Sequence, residues 1–169
     1  MAKLSTLIKP LTTNEMFHAM NILNHEKKYY IDVMSYDALL QNNFPQNNFA
    51  IVFNTLSSFQ RGIGHWCVLF NDRKKKKFTY FNSLNGDIEQ DVQYLIESRF
   101  KQGDCLISNS VALQSSFSMA CGYICLYILE FLMKGLNLNE IIEYELDMYN
   151  FIQIENKVIE NYFDVLLNK

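Results

Sequence analysis

The sequence predicts an α+β protein with a small mixed sheet flanked by helices. Three observations predict it: short β-rich apolar runs in the middle of the chain, apolar positions at helical spacing towards both ends, and one long apolar run, ACGYICLYILEFLM (120–133), broken only by Glu130. Elements of both kinds without a βαβ alternation point to a sheet with helices packed on it.

Thr12 and Glu15 form a capping-box pattern, and Met16, Ala19, Met20 and Leu23 follow at helical spacing, so a helix is expected over about 13–25. A short helix should follow Ser35, and Pro45 among asparagines marks a loop. FAIVFNT (49–55) and HWCVLFN (65–71) read as strands. The latter turns through NDRKKKK into a returning strand, FTYFNSL (78–84), which Asn85-Gly86 stops. Asp87 is placed to cap a helix through DIEQDVQYLIESRF, with Ile88, Val92, Leu95 and Phe100 on one face. CLISNS (105–110) reads as a further strand. The apolar run then forms a central helix from Cys121 to Lys134, ended by Gly135. Two more helices are expected near 139–149 and 152–167, the last with Ile154, Val158, Tyr162 and Val165 in register.

The chain has 169 residues, which suits one domain over 1–169 with a buried core. Its 49% hydrophobic and 20% charged residues are those of a globular protein, and a net charge of −3 argues against a surface given over to nucleic acid. The start of the chain lacks the apolar core of a secretory signal, and no run is long enough to span a membrane, so an intracellular protein is expected. The cysteines, Cys67, Cys105, Cys121 and Cys125, are then expected as thiols. With His18, His25 and His65 they show no metal-ligand spacing, so no metal is expected.

Cys121 opens the apolar helix, where unpaired N–H groups favour a thiolate, and Gly122 beside it leaves room for a substrate backbone. A cysteine in an apolar helix is also an ordinary small core residue. His65 begins a strand after Arg61-Gly62-Ile63-Gly64, a flexible loop that leaves one edge of the ring open to act as a general base. Asn82, on the strand that pairs with that of His65, can accept from the imidazole and fix its tautomer, or can simply begin the following turn. Gln114, in a polar loop before Cys121, can donate to an oxyanion together with the Cys121 amide, or be a plain loop residue. Cys125, one turn on from Cys121, reads as core. Cys67 lacks a helix terminus to activate it, and Trp66 reads as packing beside the base.

Taken in the order His65, Asn82, Gln114, Cys121, the segments FNTLSSFQRGIGHWCVLF, FTYFNSL and LQSSFSMACGYICLYILEF resemble the adenain family, the adenovirus-type maturation proteases, which are related to the proteases of SUMO and other ubiquitin-like proteins. The shared pattern is Asn54-Thr55, Gly62, His65-Trp66, Phe81-Asn82-Ser83, Gln114 and Cys121-Gly122, over about 30–135. The resemblance implies a papain-related core in which His precedes Cys, and a cysteine endopeptidase cutting viral structural precursors at small or Gly-containing sites. It also implies a home in the virion and the host cytoplasm, of the kind found in virophages and virus-like transposons. An isopeptidase for ubiquitin-like proteins and an inactive interaction module are the alternatives. The family's third residue is usually acidic, and here it is Asn82. Relatives can be stimulated by a peptide, through a cysteine in the region of Cys105, and by DNA, for which Arg73 to Lys77 is the one basic run. We expect an idle thiol, a solvated turn, a monomer and no cofactor.

Overall fold

The computed structural model describes residues 9–43, 45, 47–146 and 150–167, with side chains up to 162. Its centre is a five-stranded sheet in the order β1 (Tyr30–Met34), β2 (Phe49–Asn54), β3 (Trp66–Asp72), β4 (Lys77–Asn82) and β5 (Cys105–Ser108). The three inner strands run antiparallel and each outer strand is parallel to its neighbour. The β3–β4 hairpin closes through a short 3-10 turn, Arg73–Lys75, and Lys76 in the left-handed region. Strands β2 and β3 are apolar almost throughout because helices cover both faces of the sheet.

On one face lie α1 (Thr13–Leu23), α4 (Cys121–Met133) and α6 (Phe151–Leu167), sharing a core with Trp66, Val68, Phe70 and Phe81. On the other lie α2 (Tyr36–Gln41) and α3 (Gln90–Glu97), packed on Phe53, Cys67, Leu69 and Tyr80. The capping box of Thr12 and Glu15 forms as expected. Helix α5 (Leu138–Glu140) has a second capping box, Asn137 with Glu140, and widens into a π turn over Ile141–Leu146. The end of the helix expected over 139–149, residues 147–149, lies outside the described residues, as does the Val165 side chain.

Three expectations change. Strand β1 was not expected: it is short, carries Asp32 at its centre and sits at the sheet edge, so it lacks a clean alternation. Asp87 does not cap a helix. The segment after Asn85 first wraps over the Asn82 side chain, and α3 begins only at Gln90, with Glu89 at its N-cap. Gly122 does not open space for a substrate. It is buried, and a Cβ there would lie 3.0 Å from Met16 Cε and 3.2 Å from Leu11 Cβ, so its smallness lets the start of α4 pack on α1 and the segment before it.

Gly122→Ala is therefore expected to lower the thermal unfolding midpoint. Overpacking costs about 1–3 kcal/mol, against about 1 kcal/mol gained in helix propensity. An unchanged midpoint with lost activity would return Gly122 to the substrate.

Candidate active site

The site forms where β3 begins and α4 starts. Strand β3 enters from the loop 61–65, which β2 braces: Asn54 Nδ2 donates to the Ile63 carbonyl (3.1 Å) and its Oδ1 accepts from the Leu56 amide (2.9 Å). Gly64, at φ +65°, lies so close that a Cβ there would overlap Asn54 Oδ1. The glycine thus serves close approach, and the loop is pinned where the sequence suggested flexibility. Thr55 completes the bracing: its hydroxyl accepts from the His65 amide (3.1 Å) and its amide donates to the His65 carbonyl (2.8 Å).

His65 is half-buried, and its Nε2 lies 2.9 Å from Asn82 Oδ1. That oxygen also accepts the Leu84 amide (3.0 Å), so it is the acceptor end of the side chain, and Nε2 carries the proton. Nδ1 is left as the basic nitrogen. Asn82 Nδ2 reaches the Tyr80 hydroxyl (3.4 Å), and a Cβ on Gly86 would come within 2.8 Å of that nitrogen. Asn109 clamps the backbone of Asn82, accepting its N–H at Oδ1 (3.1 Å) and donating Nδ2 to its carbonyl (2.7 Å). Asn109, Tyr80 and Gly86 escaped the sequence reading. Only the Asn85-Gly86 dipeptide was visible there, as a turn.

Cys121 is buried at the start of α4. Backbone N–H groups of Trp66, Gly122 and Cys121 itself favour its thiolate, but burial is the larger effect and holds the thiol above its ordinary value. This departs from the sequence expectation: the helix start acts in the expected direction, and loss of water outweighs it. His65 is shifted the other way. Burial lowers it below 6.5, with the Asn82 hydrogen bond opposing. Both shifts favour the uncharged forms, and among the described residues no hydrogen bond joins the two side chains.

Gln114 is buried and held at both ends of its amide: Oε1 accepts from the Ser83 hydroxyl (2.6 Å) and Nε2 donates to the Ser118 carbonyl (2.7 Å). It stands at the head of the turn that leads into Cys121. The other thiols differ in burial. Cys67 is buried and pushed up to about 12 by loss of water. Cys125 is fully buried and donates to the Trp66 carbonyl (3.3 Å). Cys105, expected to be idle, is exposed on the edge strand β5. Trp66 is core, its indole N–H on the Leu11 carbonyl (3.2 Å). A cavity of about 340 Å³ adjoins Asn82, lined by Tyr36, Gln60, Tyr80, Asp87 and Glu89 among others.

No protein-family model and no curated protein sequence matches the chain. Solved structures do. The ASFV pS273R protease aligns with a TM-score of 0.67 at 17% identity, over 88% of this chain and 66% of that one. ChlaDub1 from Chlamydia trachomatis aligns with a TM-score of 0.67 at 10% identity, over 95% and 93%. SUMO protease Ulp1 aligns with a TM-score of 0.58 at 15% identity, over 97% and 82%. This chain spans just under two thirds of the ASFV protease. The fold is that of the adenain-like and SUMO-protease group of cysteine peptidases, as the sequence led us to expect.

The lowered His65 value fixes a sign. Neutral His65 is lost as pH falls through a value below 6.5, and the acid limb of kcat/KM is expected there. Asn82→Asp puts a carboxylate beside Nε2, stabilises the imidazolium and is expected to move that limb up by roughly one to two pH units with activity kept. Asn82→Ala is expected to cut kcat about a hundredfold. Equal, near-wild-type profiles for both would remove Asn82 from the chemistry.

Proposed function

We propose that this protein is a cysteine endopeptidase with Cys121 as nucleophile, and the observation that carries the reading is His65, fixed through Nε2 by Asn82 at the strand start against which Cys121 packs. His65 Nδ1 takes the thiol proton as Sγ attacks the scissile carbonyl. The Cys121 amide and Gln114 Nε2 receive the oxyanion. His65 gives its proton to the leaving amine. It then takes one from the water that hydrolyses the thioester, and the thiol is regained. Burial disfavours a resting thiolate, so the thiol proton leaves as the substrate is attacked.

For substrate we propose viral structural precursors, cut at small or Gly-containing sites in the virion and host cytoplasm by a monomer that needs no cofactor. The likeness to the ASFV protease supports the viral part of this reading. A second reading, an isopeptidase for ubiquitin-like proteins, is favoured by the fuller match to ChlaDub1 and by a neighbour solved bound to ubiquitin. The exposed Cys105 keeps a disulfide-linked activating peptide within reach as an alternative to autonomous activity.

Wild-type protein and Cys121→Ala, incubated with a panel of capsid precursors and separately with electrophilic probes ending in ubiquitin or SUMO tails, separate the readings. Precursor cleavage by the wild type alone is expected. Labelling by the ubiquitin-like probes without precursor cleavage would favour the isopeptidase, and inertness towards both would leave an interaction module.

A further inference from the structure

Asn82 and Ser83 are neighbours at the end of β4, yet their side chains serve different groups. Asn82 meets His65, and Ser83 meets Gln114. Ser83 is fully buried, its hydroxyl donates to Gln114 Oε1 at 2.6 Å, and its carbonyl accepts the Leu113 amide at 2.8 Å, tying the strand end to the loop that carries Gln114.

The two ends of a glutamine amide are almost equal in size and opposite in hydrogen-bonding sense, so only their partners decide which end faces a substrate. Here the Ser118 carbonyl can only accept, and it takes one N–H of Nε2 at 2.7 Å. The Ser83 hydroxyl supplies the donor that the buried oxygen needs. Among the described residues no second hydrogen bond of Nε2 is found. A flipped amide would set oxygen against the Ser118 carbonyl and turn an acceptor towards a forming oxyanion, which repels where it should stabilise.

We propose that Ser83 is a positioning residue that holds Gln114 with its N–H₂ end towards the oxyanion site, an inference that rests on the peptidase reading above. The end of β4 thereby sets both halves of the site through adjacent residues, the base through Asn82 and the oxyanion donor through Ser83. Asn109 holds the backbone between them in place.

The test is a double-mutant cycle of the full chain on p-nitrophenyl acetate, an ester that needs no sequence preference, with the Cys121→Ala rate subtracted. Gln114→Ala is expected to slow acylation by about a hundredfold. Ser83→Ala is expected to slow it about tenfold, through kcat rather than KM, since the donor is misaligned and not removed. In the Gln114→Ala background, Ser83→Ala should cost nothing further. Alkylation of Cys121 by iodoacetamide, which forms no oxyanion, should run at the same rate in all four proteins. If Ser83→Ala does not fold, Ser83→Cys, of similar size with a weaker donor, replaces it in the cycle. A wild-type rate for the Ser83 variant, or an equal loss with and without Gln114, overturns the proposal while leaving the peptidase reading intact. A wild-type rate for Gln114→Ala, or no turnover above the Cys121→Ala background, overturns the reading on which it rests.

Discussion

The backbone of one residue, Trp66, ties the site together. The Trp66 N–H faces the sulfur of Cys121, and the Trp66 carbonyl accepts from Cys125 one helical turn later. The first turn of α4 is therefore docked on the first residue of β3, directly beside His65. The Trp66 indole, buried and bonded to the Leu11 carbonyl, anchors the same residue to the segment before α1. Gly122 lets that segment come close. Cys121 and His65 are thus placed by a packed helix and strand, which hold geometry better than loops do.

That docking carries a consequence for the chemistry. Packing Cys121 into the junction removes water from it, and the helix-start amides do not offset the loss. Burial likewise favours the neutral form of His65. A cysteine site with a preformed ion pair would react with any electrophile. Here the shifts of both side chains favour the uncharged pair over such an ion pair. Asn82 gives the His65 ring a fixed orientation without a charge beside it.

Much of this was legible in the sequence, because short-range rules govern it. The capping box of Thr12, the β3–β4 hairpin around the lysine run and the apolar α4 each follow from patterns within a few residues. Chain order and the resemblance to known peptidases singled out His65, Asn82, Gln114 and Cys121, and the structure brings His65 and Asn82 into contact. What escaped notice depends on partners far along the chain. Ser83 meets Gln114, and Asn109 meets Asn82, across separations that no local pattern encodes. Gly122 and Gly64 were read as openness, whereas each serves close packing against a neighbour fixed only by the fold. The thiol's raised value was missed for the same reason, since burial cannot be read from a helix start alone.

The most direct test is to treat the protein at pH 7 with a short peptide carrying a C-terminal vinyl sulfone and to map the adduct by mass spectrometry. Modification of Cys121 alone is expected, lost in His65→Ala, with the more exposed Cys105 untouched. Labelling of Cys105 in preference to Cys121, or labelling of Cys121 that does not depend on His65, would contradict a thiol activated by its neighbouring imidazole.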